Sequence, residues 1–120
     1  MTTAQTILNQ QPGPLPITCQ YTPESDEPVT LIFSGSVYTG NIDETIIGFD
    51  VKVNGETIGA STIASRSTSQ YHFATVPGMV TTKLPFVERD GKIQPVTFEL
   101  VANCDTLSGK TDYFSLCVIN

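Results

Sequence analysis

The sequence predicts an all-β domain, an antiparallel β-sandwich or barrel of about eight strands. Three observations predict it. Apolar and polar residues alternate in one stretch after another, the pattern of a strand with one buried face. The clearest stretch, FDVKVNGETIGAS from Phe49 to Ser61, carries Asn54-Gly55 near its centre. That pair suits a two-residue hairpin turn, in which both central residues need positive φ. Clusters of turn-forming residues recur roughly every 8–12 positions, and no window shows helical periodicity.

The elements follow in order. Residues 1–16 are polar and then Pro-rich (QQPGPLP), and read as a flexible N-terminal arm ahead of a single domain over residues 17–120. Ile17–Tyr21 reads as a short first strand, closed by the turn cluster TPESDEP. From Pro28 to Tyr38, Val29, Leu31, Phe33, Gly35 and Val37 share one face, and Gly35 marks a bulge or a close neighbour. Thr45 to Asn54 turns Ile47, Phe49, Val51 and Val53 inward, and Glu56 to Ser65 returns antiparallel beyond Asn54-Gly55. The polar run Ser65–Ser69 is a loop, and Gln70 to Val76 is a strand ended by Pro77-Gly78. Met79 to Val87 follows as an edge or bulged strand, because Pro85 cannot donate to a ladder. Asp90-Gly91 marks a second hairpin turn. Ile93 to Ala102 and Asp112 to Ile119 read as the last two strands, with a polar loop between them.

At 120 residues the chain is long enough to bury a core without disulfide staples. Charged residues make up only 15% of it, and Ser and Thr fill the difference. Six basic residues against twelve acidic ones give a net charge of −6. The basic residues (Lys52, Arg66, Lys83, Arg89, Lys92 and Lys110) are scattered, which argues against contact with nucleic acid or an anionic membrane. The start, MTTAQTILNQQ, has neither the positive nor the apolar region of a secretory signal, so synthesis in a cytoplasm is expected. In that setting Cys19, Cys104 and Cys117 read as reduced, packed thiols. A Cys104–Cys117 bridge between neighbouring strands is the alternative.

No pattern of catalytic or cofactor-binding residues emerges, and the expectation is a chain that is not an enzyme and carries no cofactor or metal. His72, the only histidine, lies between Tyr71 and Phe73 and points to the opposite face of its strand, with no partner nearby in sequence. Zinc ligation by His72 with Cys19, Cys104 and Cys117 has the ligand types but none of the short paired spacings of such sites. Ser34-Gly35-Ser36 is not a nucleophile elbow, and no helix follows it. Glu24, Asp26 and Glu27, like Asp43 and Glu44, fall in turns where acids are solvated or cap amides. Asp105 and Asp112 bracket a loop without the regular spacing of a calcium loop. For glycan or partner contact, Tyr38, Asn41, Arg66 and Tyr71 combine aromatic rings with hydrogen-bonding groups, although no Trp is present.

The run F-x-V-x-V-N-G-x-x-I-G-x-S, an apolar strand with Pro-Gly, the strand VTFEL and the closing D-Y-F-x-L-x-V-I together resemble small jelly-roll domains. The nearest likeness is to the globular heads of complement-like and tumour-necrosis-factor-like trimers, a jelly roll that recurs in bacteriophage decoration proteins and fibre tips. It covers about Pro28 to Asn120. It implies a jelly-roll-like sandwich and a homotrimer around a shared axis. The implied role is that of a non-enzymatic structural virion protein on a larger assembly such as a capsid, as a decoration (cement) or fibre-associated protein. Apolar residues on both faces of Leu31–Phe33 and of the last strand fit a second buried surface. A carbohydrate-binding lectin or receptor-binding tip is the alternative.

Overall fold

The computed structural model of the chain describes residues 3–40, 45–65 and 72–120, and every regular element in them is a β-strand. One sheet contains β1 (Ala4–Pro12), β3 (Val29–Val37), β6 (Phe73–Ala74), β7 (Gly78–Thr82) and β11 (Tyr113–Ile119). Its order is β1-β11-β3, with β6 and β7 both pairing along the far side of β3. The second sheet contains β2 (Ile17–Tyr21), β4 (Thr45–Val53), β5 (Glu56–Ser65) and β10 (Val96–Asn103), in the order β2-β10-β4-β5. A small hairpin, β8 (Glu88–Arg89) and β9 (Lys92–Ile93), stands apart from both. All pairings are antiparallel.

Take β6 and β7 as one strand interrupted at Thr75–Pro77, and the β8–β9 hairpin as an insertion. Eight strands then remain, wound 1-8-3-6 in one sheet and 2-7-4-5 in the other. That is the winding of a jelly roll, two Greek keys closed into a sandwich. The expected all-β, antiparallel, jelly-roll-like sandwich is therefore what the chain forms.

The N-terminal arm is where the structure departs from expectation. Within residues 1–16, Ala4–Pro12 is a strand that pairs with β11 from Ala4↔Ile119 to Pro12↔Tyr113. Its sequence hides this because seven of its nine residues are polar or exposed, and only Leu8 is buried. A ladder is made by backbone groups, so the free edge of β11 recruits a polar segment that composition alone assigns to a tail. Residues 13–16 then cross to the second sheet, held by Gly13 N–H donating to Asp112 O at 2.9 Å and Leu15 N–H to Ser108 Oγ at 2.8 Å.

The core lies between the sheets. Phe33 and Phe114 come from the first sheet and Phe49 and Phe98 from the second, and all four are essentially inaccessible. Phe49 joins the layers, its ring 5.4 Å from that of Phe114 at 88° and 6.2 Å from that of Phe33. Each such buried side chain contributes roughly 1.5–3 kcal/mol. Close packing explains Gly35: a Cβ there would lie 2.8 Å from Tyr113 O and inside contact distance of the Phe114 ring. Both expected hairpin turns form, with φ of 49° and 87° at Asn54-Gly55 and 53° and 77° at Asp90-Gly91. One bulge escaped simple alternation. The β4–β5 register shifts between Val51 and Lys52, and Ile58 as well as Ile63 packs against the core.

Candidate functional site

The loop that follows β10, residues 104–112, lies at the end of the sandwich opposite the Asn54-Gly55 turn. Its form is set locally. Thr106 N–H donates to Asn103 O at 3.0 Å across a turn in which Cys104 has φ of 47°. The Thr106 hydroxyl oxygen accepts from Gly48 N–H at 2.8 Å, tying the loop to β4. Tyr38 and Leu107 exchange backbone hydrogen bonds of 3.0 and 2.7 Å, tying it to the end of β3.

This loop delivers Asp112 to the start of β11, where its side chain is 1% exposed. Burial of a carboxylate demands partners, and it has three. Oδ1 accepts from the Ser36 hydroxyl at 2.7 Å and contacts His72 Nδ1 at 2.6 Å, while Oδ2 accepts from Gly109 N–H at 2.8 Å. His72 stands just before β6, and its neighbour Phe73 packs inward against the core. Alternation therefore sends the imidazole outward, over Ser36, where the ring is 41% exposed. The Tyr38 ring covers one side of it, with centroids 4.4 Å apart and planes tilted by 36°. Anchoring Nδ1 on the carboxylate turns Nε2 away from Asp112.

Beside this cluster is an open depression of about 490 Å³, lined by Thr39, Gly40, Cys104, Asp105, Thr106 and Leu107. Hydroxyls, a carboxylate and backbone groups line a concave surface that begins one residue beyond the Tyr38–His72 ring pair.

The chemistry of this cluster is orientation, not nucleophile generation. A serine is activated when a histidine stands between it and the acid. Here the acid stands in the middle, so the Ser36 proton is committed to Asp112 and never faces the imidazole. Ser36 is also buried. Asp112 spends both oxygens on partners within the protein. Among the described residues no three His, Cys, Asp or Glu side chains gather as metal ligands, so His72, Cys19, Cys104 and Cys117 are not brought together. The three cysteines are free thiols. Cys104 is exposed in the loop, while Cys19 and Cys117 are partly covered in β2 and β11, and no Cys104–Cys117 bridge forms.

Of the four residues singled out for glycan or partner contact, Tyr38 sits at the centre of this end. Asn41, Arg66 and Tyr71 lie outside the described residues, as do Asp43 and Glu44. Glu24, Asp26 and Glu27 are exposed in the turn before β3, and Asp26 meets Lys83 at 3.3 Å at the surface. Sequence reading missed the His72–Asp112 pair. Its one available signal was the outward placement of His72, since its partner is 40 residues away.

No protein-family model matches the chain, and no curated protein matches it.

Proposed function

We propose that this is a non-enzymatic structural protein of a virion, a homotrimeric capsid decoration (cement) or fibre-associated jelly roll. The observation that carries the reading is the winding, 1-8-3-6 over 2-7-4-5, with the N-terminal segment built in as the first strand. That is the fold the resemblance to complement-like and tumour-necrosis-factor-like heads implies, and the functional step from it is an analogy at the level of fold. The acidic balance and small size agree with a module that sits on a larger protein shell. In this reading the loop end with Tyr38 faces outward or meets a neighbour.

Expanded capsids of the encoding virus, stripped of accessory proteins, provide the test. Added protein should co-sediment and saturate in multiples of three copies. Failure to bind any capsid form contradicts the reading.

A second reading rests on its own observation, the Tyr38–His72 ring pair beside a polar depression. An aromatic face next to hydroxyl and carboxylate groups suits a sugar. A glycan-array signal lost in Tyr38→Ala, in protein that ignores capsids, would favour a lectin.

A further inference from the structure

The sheet made of β1, β3, β6, β7 and β11 has a property the other lacks: not one residue of its five strands is charged. The second sheet carries Asp50, Lys52, Glu56 and Glu99. The whole chain has 12 acidic and 6 basic residues, all of them outside this one sheet.

The outward side of that sheet is also apolar along its middle. Strand register places Thr6, Cys117, Ile32 and Met79 in one row across four strands. Ile32 and Cys117 alternate with buried neighbours and so face away from the core, and Thr6 and Met79, opposite them in register, are exposed. Met79 is 72% exposed, more than any other large hydrophobic residue among those described. The flanking row holds the Thr30–Thr81 hydroxyl pair at 3.0 Å, which flattens the surface without adding charge.

We infer that this face is where copies of the same chain meet one another. The inference rests on the assembling role proposed above and names its contact surface. Charge selects the occupant. Two copies that each carry −6 repel wherever their acidic surfaces approach, and only a charge-free face lets them close without that cost. A basic partner would gain nothing here and would dock on the acidic turns instead. A sugar needs directed polar groups around a ring, which lie at the loop end. The size also fits. Four strands about 4.8 Å apart and about seven residues long span roughly 19 by 24 Å in the plane. That plane, about 460 Å² before side-chain relief, is of the same order as the roughly 800 Å² each partner gives to a standard interface.

Analytical ultracentrifugation tests this on the full chain. Wild-type protein at about 10 µM should sediment as an oligomer. Met79→Lys and Ile32→Lys each place an ammonium in the contact and should weaken association at least tenfold, leaving a 13.0 kDa species. Thr18→Lys, exposed on β2 of the other sheet, should leave the wild-type mass unchanged. Circular dichroism confirms that each variant is folded. A wild-type chain that stays monomeric at about 100 µM overturns the inference, and so does an oligomer that ignores both lysines. The second result removes this face while leaving an assembling structural protein in place. An oligomer that lysine breaks but no capsid takes up supports the face and removes the particle.

Discussion

At Asp112 a single side chain holds two others and a backbone N–H in place. Removing it strands the buried Ser36 hydroxyl and the part-buried Gly109 N–H and releases His72. Leaving buried donors unpaired costs more than losing an exposed contact. Asp112→Ala should therefore lower the unfolding free energy by about 2–4 kcal/mol, and His72→Ala by no more than ~1 kcal/mol. Urea denaturation of the two variants checks the ordering, and equal losses would contradict it. Cys19 gives a second test. Burial pushes its thiol above the ordinary value, because the thiolate is disfavoured in the half-covered strand β2. The folded state thus binds the thiol proton more firmly than the unfolded chain. That contribution is complete below the ordinary thiol pKa and is lost as pH rises through the raised folded value. Stability should fall over this alkaline range more in wild type than in Cys19→Ala, as thermal melts across pH would show. How much of this scale was legible depends on sequence distance. Tyr38 stood out as an aromatic at a strand end. The His72–Asp112 pair did not, because only the β3–β11 and β3–β6 pairings bring the two residues together.

The elements divide in the same way. Asn54-Gly55 and Asp90-Gly91 were legible because positive φ is a local demand that few residues meet at low strain, and both turns have it. The strand β1 was illegible because AQTILNQQP has no alternation to read, and its stability comes from the edge of β11. Deleting residues 1–12 discriminates between an arm and a strand. It uncovers the β11 edge and empties the position of Leu8, which is 7% exposed. The expected loss is about 2–4 kcal/mol with a raised tendency to aggregate. A flexible arm would come away with no change in the melting temperature. Pro85 likewise had a readable effect: β7 stops at Thr82, and the chain does not rejoin a ladder until β8.

The whole molecule shows how a sound fold class can rest on a different set of strands. The expected total of about eight is met by the eight wound strands, but their membership differs. Sequence reading counted the interrupted sixth strand as two, because Pro77 and Gly78 break the alternation between Phe73–Ala74 and Gly78–Thr82. It also omitted β1, so the two differences cancelled. Alternation reports which face of a strand is buried, not which strands are neighbours, and the charge-free sheet only becomes visible once β1, β11, β3 and β7 lie side by side. Cys117 lies in the middle of that surface and is a built-in probe. The decisive measurement is the rate at which a small alkylating reagent labels Cys117 in wild type and in Met79→Lys, with the exposed Cys104 as internal reference. With copies meeting at this face, Cys117 is labelled at least about tenfold more slowly, relative to Cys104, in wild type than in the lysine variant. Equal relative rates in the two proteins would contradict it.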